Sequence, residues 1–63
     1  MKTTVIIGAG PGLGMSIAKR FGKEGYKIVL IARNENKLQN MMLELESLGI
    51  ISQVYAVDIM NIQ

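Results

Sequence analysis

Cysteine and histidine are both absent from this chain, tryptophan is missing as well, and proline occurs once. Without cysteine there is no disulfide framework and no thiolate nucleophile, and the usual zinc constellations lose their two main ligands. Without histidine, Ser16, Ser47 and Ser52 have no imidazole base to activate them. Aromatic residues make up only 5% of the chain, so no basic stripe interleaved with aromatics exists for nucleic acid. No apolar run approaches the roughly eighteen residues that a membrane span needs. The opening Met1-Lys2 and its apolar sequel faintly imitate a secretory signal. Gly8, Gly10, Pro11, Gly12 and Gly14 interrupt the run and would ruin its apolar core. A cytoplasmic protein that engages neither nucleic acid nor membrane is the expectation.

What remains is apolar. Hydrophobic residues account for 49% of the 63 positions and charged ones for 19%, the balance of a packed domain rather than a disordered tail. A chain of this length buries only roughly 60% of its unfolded surface and is marginal alone. Disulfides and the usual metal sites being excluded, oligomerisation, a bound ligand or the rest of a larger domain must compensate. The last of these is favoured, which makes residues 1–63 a single but incomplete domain. Net charge is +2, and its seven cations all lie in the first 37 residues. Lys19, Arg20 and Lys23 read as the solvated face of a helix.

Five elements follow one another with short connections. Thr4 to Ile7 reads as an apolar, β-branched strand covered on both faces. From Leu13 to Glu24, Leu13, Ile17, Ala18 and Phe21 share one helical face, and Gly25 supplies a left-handed stop. Lys27 to Ala32 is a second apolar strand. Asn34 caps a second helix, in which Leu38, Met41, Met42, Leu45 and Leu48 recur at helical spacing until Gly49 ends it. Ser52 to Val57 is a third strand. Strand–helix–strand–helix–strand without room for hairpins predicts parallel strands and right-handed crossovers. The expected fold is therefore α/β, the N-terminal β-α-β-α-β half of a Rossmann-type doubly wound parallel sheet, strand order 3-2-1. One edge of the first strand is left without a neighbour, which invites association and makes a homo-oligomer the expected state.

Between the first strand and the first helix lies Gly8-Ala9-Gly10-Pro11-Gly12-Leu13-Gly14. A backbone without side chains can approach a phosphate closely, and the helix behind it offers unpaired N–H groups and a partial positive charge. The same turn could bind nothing, but four alternating glycines carry an entropic cost that a mere connection does not require. The G-x-G-x-x-G dinucleotide pattern fits in no register. The spacing G-x-x-x-G-x-G does fit, on Gly8, Gly12 and Gly14, and with the following helix it resembles the short-chain dehydrogenase/reductase superfamily over the whole chain. In that resemblance Gly8 turns the chain off the strand, Gly12 admits the pyrophosphate, and Gly14 brings helix and sheet together. Gly10 adds freedom to the loop, Pro11 stiffens it, and Leu13 joins the phosphate wrap. The family usually has Thr before the first glycine, where this chain has Ile7.

The resemblance also assigns the later strand ends. NAD-preferring folds place an acid at the end of the second strand, where it accepts hydrogen bonds from the ribose 2′-hydroxyl. Ala32 stands there, followed by Arg33 and Asn34. A guanidinium can pair with the 2′-phosphate of NADP in a forked contact worth roughly 1.5–3 kcal/mol, or about ten- to a hundredfold in preference. NADP rather than NAD is thus the implied cofactor, held also by Asp58 and the backbone of Ile59 at its adenine.

The family transfers a hydride between nicotinamide and a carbonyl or alcohol carbon, using a Tyr-x-x-x-Lys pair and a Ser. Tyr26 is followed four residues on by Leu30, and Tyr55 by Ile59, so no such pair exists here and no catalytic residue is assigned. The expectation is the cofactor-binding segment of an NADP-dependent oxidoreductase, with a small-molecule substrate engaged only by the intact protein. A non-catalytic nucleotide-binding module acting as a homodimer stays open beside it. An FAD domain fits less well, since it needs an acid at Ala32-Arg33.

Overall fold

The computed structural model describes residues 2–8 and 12–57. In chain order these form β1 (Thr3–Ile7), α1 (Leu13–Lys23), β2 (Lys27–Ala32), α2 (Glu35–Ser47) and β3 (Ser52–Ala56). The three strands make one parallel sheet in the order β1-β2-β3, with β2 in the middle. Its register aligns Thr4, Ile28 and Ser52 in one row and Ile6, Leu30 and Val54 in another. Alternate rows point to opposite faces, so these two rows share a face.

That face carries the core. Ile28 and Leu30 are completely buried against Met15 and Ala18 of α1, Leu38, Met41 and Leu45 of α2, and Ile50 of the loop before β3. Ile6, Tyr26, Ala32 and Val54 pack around them. Two successive right-handed crossovers moving the same way across a sheet deliver both helices to one side. The opposite face is therefore open within the described residues. Val5 is 53% exposed and Ile7 63%, and Ile7, Ile31 and Tyr55 form one row along this face. Strand sequence alone reports apolar residues on both faces. Which face is covered follows from the handedness of the connections.

The helices differ from their expected stripes in the same sense. In α1 the buried residues are Gly14, Met15 and Ala18, whereas Leu13 is 77% exposed and Phe21 lies at the surface. Two of the three buried residues are small, which lets α1 approach β2, while Leu13 at its start is left uncovered. In α2, Leu38, Met41 and Leu45 are buried as expected, but Leu48 follows the helix and is exposed. Tyr26 immediately precedes β2 and stacks edge-on against Phe21, ring centroids 5.3 Å apart. Lys19 of α1 pairs with Glu44 of α2 at the solvated seam between the helices, a contact of small energetic weight at such exposure.

Helix ends follow the local chemistry. The Asn34 side-chain oxygen accepts the Lys37 backbone N–H at 2.9 Å, an N-cap in the expected place. Gly25 and Gly49 close α1 and α2 in left-handed conformations. Gly22 serves another purpose: a Cβ there would meet Ile50 Cδ1, Cγ2 and Cγ1 at 2.6, 2.7 and 2.8 Å. Helix α1 and the loop before β3 are in contact only because this position has no side chain.

Two substitutions test these contacts by urea unfolding. Gly22→Ala meets a β-branched neighbour whose Cγ atoms cannot swing aside, an overpacking of about 2–3 kcal/mol against a helix-propensity gain of about 1. A net loss of about 1–2 kcal/mol is expected, and an unchanged midpoint would refute the close packing. Asn34→Ala should lose about 1 kcal/mol through the missing cap.

Candidate functional site

Parallel strands end together, so the residues that follow them are gathered along one rim of the sheet. Ile7 lies beside Ile31, and Ala32 beside Ala56. The ladder continues one step further at each end: the Gly8 N–H donates to the Ile31 carbonyl at 2.7 Å, and the Val57 N–H to the Ala32 carbonyl at 2.8 Å. Gly8, Arg33 and Val57 thus stand just beyond the ends of the three strands, on one side of the sheet. Of the candidate residues, Gly8, Gly12, Leu13, Gly14, Arg33 and Asn34 fall within the described part of the chain. Gly10, Pro11, Asp58 and Ile59 lie outside it.

Gly8 has φ +73°, a conformation that side-chain-bearing residues rarely adopt. It turns the chain off β1 immediately after its last ladder bond, as expected. Gly12 is different. Its φ of −84° suits any residue, and a Cβ built there meets nothing within 4 Å. Packing within the described residues does not call for glycine at this position, and what the missing side chain leaves is open approach to the backbone.

Gly12 is also the N-cap of α1. It makes no side-chain cap hydrogen bond, and no acid occupies the first turn. The Gly12 carbonyl accepts from the Ser16 N–H at 3.2 Å and the Ser16 hydroxyl at 3.3 Å, so the capping residue is engaged through its acceptor. The opening N–H groups of an α-helix have no partner within the helix, and the aligned peptide dipoles give that end a partial positive charge. With no capping side chain or carboxylate supplied from the turn, the end is open to an external anion. Leu13 is exposed at this end, and Gly14 is buried beneath it.

Arg33 and Asn34 are exposed where the chain leaves β2. Among the described residues Arg33 forms no ion pair. The oxygen of Asn34 is committed to its cap, which leaves its amide N–H pair to serve an acceptor. The rim therefore combines open backbone, a helix N-terminus and a guanidinium, a donor set suited to phosphate and devoid of any nucleophile–base pair.

A wider cleft, about 320 Å³, lies at the opposite end of the sheet against Met42, Glu46 and Gly49 to Ser52. Glu46 is its one ionisable residue, so it gathers no comparable chemistry. Among the described residues no cluster of His, Cys, Asp and Glu could hold a metal, and no helix is long and apolar enough to cross a membrane.

Comparison with known proteins agrees with this geometry. The family model described as short chain dehydrogenase matches residues 2–63. An uncharacterized oxidoreductase of Staphylococcus aureus is 48% identical over 44 residues, covering 70% of this chain and 19% of that protein. A Streptomyces coelicolor protein provisionally named a ketoacyl reductase is 31% identical over 61 residues, 97% of this chain and 23% of its own length. Among solved structures, a metagenomic short-chain oxidoreductase in complex with NADP superposes with a TM-score of 0.82 at 33% identity, over 90% of this chain and 26% of that one. The chain thus spans about a fifth to a quarter of the length of these relatives. Parallel β-α-β-α-β topology, a glycine turn that opens onto a helix N-terminus, and sequence similarity along the chain together make it a member of the short-chain dehydrogenase family.

Proposed function

We propose that this chain is the cofactor-binding segment of an NADP-dependent oxidoreductase, in which the three strands form the 3-2-1 half of a doubly wound sheet. The observation that carries the reading is the pairing, on one rim, of an uncapped α1 N-terminus behind a side-chain-free Gly12 with Arg33, next to Ala32 where an NAD-binding fold would place an acid. The backbone of Gly8, Gly10, Pro11, Gly12, Leu13 and Gly14 would hold the pyrophosphate. Arg33 and the Asn34 amide would take the 2′-phosphate, and Asp58 with Ile59 the adenine. The relative solved with NADP supports the choice of nucleotide.

The open face of the sheet, which carries Val5, Ile7, Val29, Ile31 and Tyr55, supports the view that this segment belongs to a larger domain. NADP, when bound, would supply the hydride donor or acceptor for a carbonyl or alcohol substrate. The present residues would bind and orient it. The chain contains no Tyr-x-x-x-Lys pair, so proton transfer at the substrate falls to residues of the whole protein. A cytoplasmic setting, with its supply of NADP, suits this role.

Calorimetric titration tests the proposal. NADP should bind more tightly than NAD, and Arg33→Gln should reduce that preference about ten- to a hundredfold, the worth of one charge-assisted contact. Tighter binding of NAD by the unmodified chain would overturn the assignment.

A further inference from the structure

The first turn of α2 carries a charge that the helix itself disfavours. Lys37 sits at its third position, fixed there by the cap from Asn34 to its backbone N–H. Cations are unfavourable at a helix N-terminus, where the peptide dipoles already present positive charge. Arg33, four residues earlier, adds a second positive charge to the same end. A single carboxylate in the first turn offsets one of the two charges at most. Glu35 is the one acid in the first turn, and two residues of separation place it about 200° around the helix from Lys37.

The surroundings of Lys37 give its position a direction. With Met15, Asn40, Met41 and Glu44 it lines a cleft of about 170 Å³ between α1 and α2. Met15 belongs to the first turn of α1, three residues after Gly12, so Lys37 and Met15 bring the first turns of both helices to one cleft. Glu44, the acid in its wall, is engaged by Lys19 from α1. Lys37 is thus a cation held near both helix N-termini without an ion-pair partner among the described residues.

A phosphate monoester carries roughly −1.5 to −2 charges at neutral pH, more than one guanidinium neutralises. The glycine turn cannot supply the balance, since residues 8–14 include no cation. We propose that Lys37 supplies the second positive charge to the 2′-phosphate and, with Arg33, determines the preference for NADP. This inference rests on the NADP reading above. Arg33 contributes a planar fork and Lys37 a point charge, so their roles are complementary and not interchangeable.

The test is the ratio of NAD to NADP dissociation constants, measured by calorimetry at fixed ionic strength for the chain and two variants. Lys37→Gln keeps the backbone N–H that Asn34 caps, and far-ultraviolet circular dichroism verifies that α2 persists. The ratio is expected to fall roughly tenfold in Lys37→Gln, the effect of about 1.4 kcal/mol, and to be largely restored in Lys37→Arg. An unchanged ratio in Lys37→Gln overturns the assignment while leaving the NADP reading intact. A loss in Lys37→Arg equal to that in Lys37→Gln also overturns it, because charge is then not what matters. If the unmodified chain shows no preference for NADP, the functional reading fails first and this inference with it.

Discussion

Everything in this fold depends on the burial of Ile28 and Leu30 beneath two helices. β2 is the central strand, hydrogen-bonded on both edges, and its inward residues are the ones that α1 and α2 share. Remove that contact and the two helices lose the surface they share, since the seam between them offers little beyond Met15, Met41 and an exposed ion pair. The small residues Gly14, Ala18 and Gly22 serve this contact too, because they allow α1 to lie close to β2 and to the loop carrying Ile50. Packing on one face and exposure on the other are then two aspects of one topological fact.

The same arrangement separates stability from chemistry. Core residues occupy the strands and inward helix faces, while the candidate ligands occupy the rim where those strands end. Gly12 illustrates the division. It fills no space and needs no unusual φ, yet it leaves backbone donors approachable at the point where the α1 dipole begins. Arg33 and Lys37 contribute nothing to the core and are placed by elements that do. The proposed site thus consists mainly of backbone geometry and charge, with few side chains to carry it.

Much of this was legible in the sequence because the determinants are local. The i, i+3, i+4 spacing of Leu38, Met41 and Leu45 marks a helix, Asn34 marks its start, and Gly25 and Gly49 mark the ends of both helices. The alternation of strand and helix specifies parallel pairing. The glycine spacing identifies the turn and, through resemblance, the family. What escaped was relational. Leu13, Phe21 and Leu48 continue apolar patterns beyond the faces that are buried, because periodicity defines a stripe and not the neighbour available to cover it. The role of Gly22 depends on Ile50, a residue of a distant loop that helical spacing does not reveal. The place of Lys37 in a cleft beside Met15 is likewise set by how the two helices pack, not by local sequence.

The two hydrogen bonds that carry the ladder past the strand ends, from Gly8 to Ile31 and from Val57 to Ala32, have a mechanical corollary. They make the sheet a ruler. A slip of β1 by one residue would displace the turn by about 3.3 Å and exchange the inward and outward side chains of the strand. Such an error would expose Ile6 and break the core before it misplaced a ligand. The vertical alignment of the loops is therefore enforced by hydrophobic packing two rows away, and sequence drift in the loops themselves leaves it untouched.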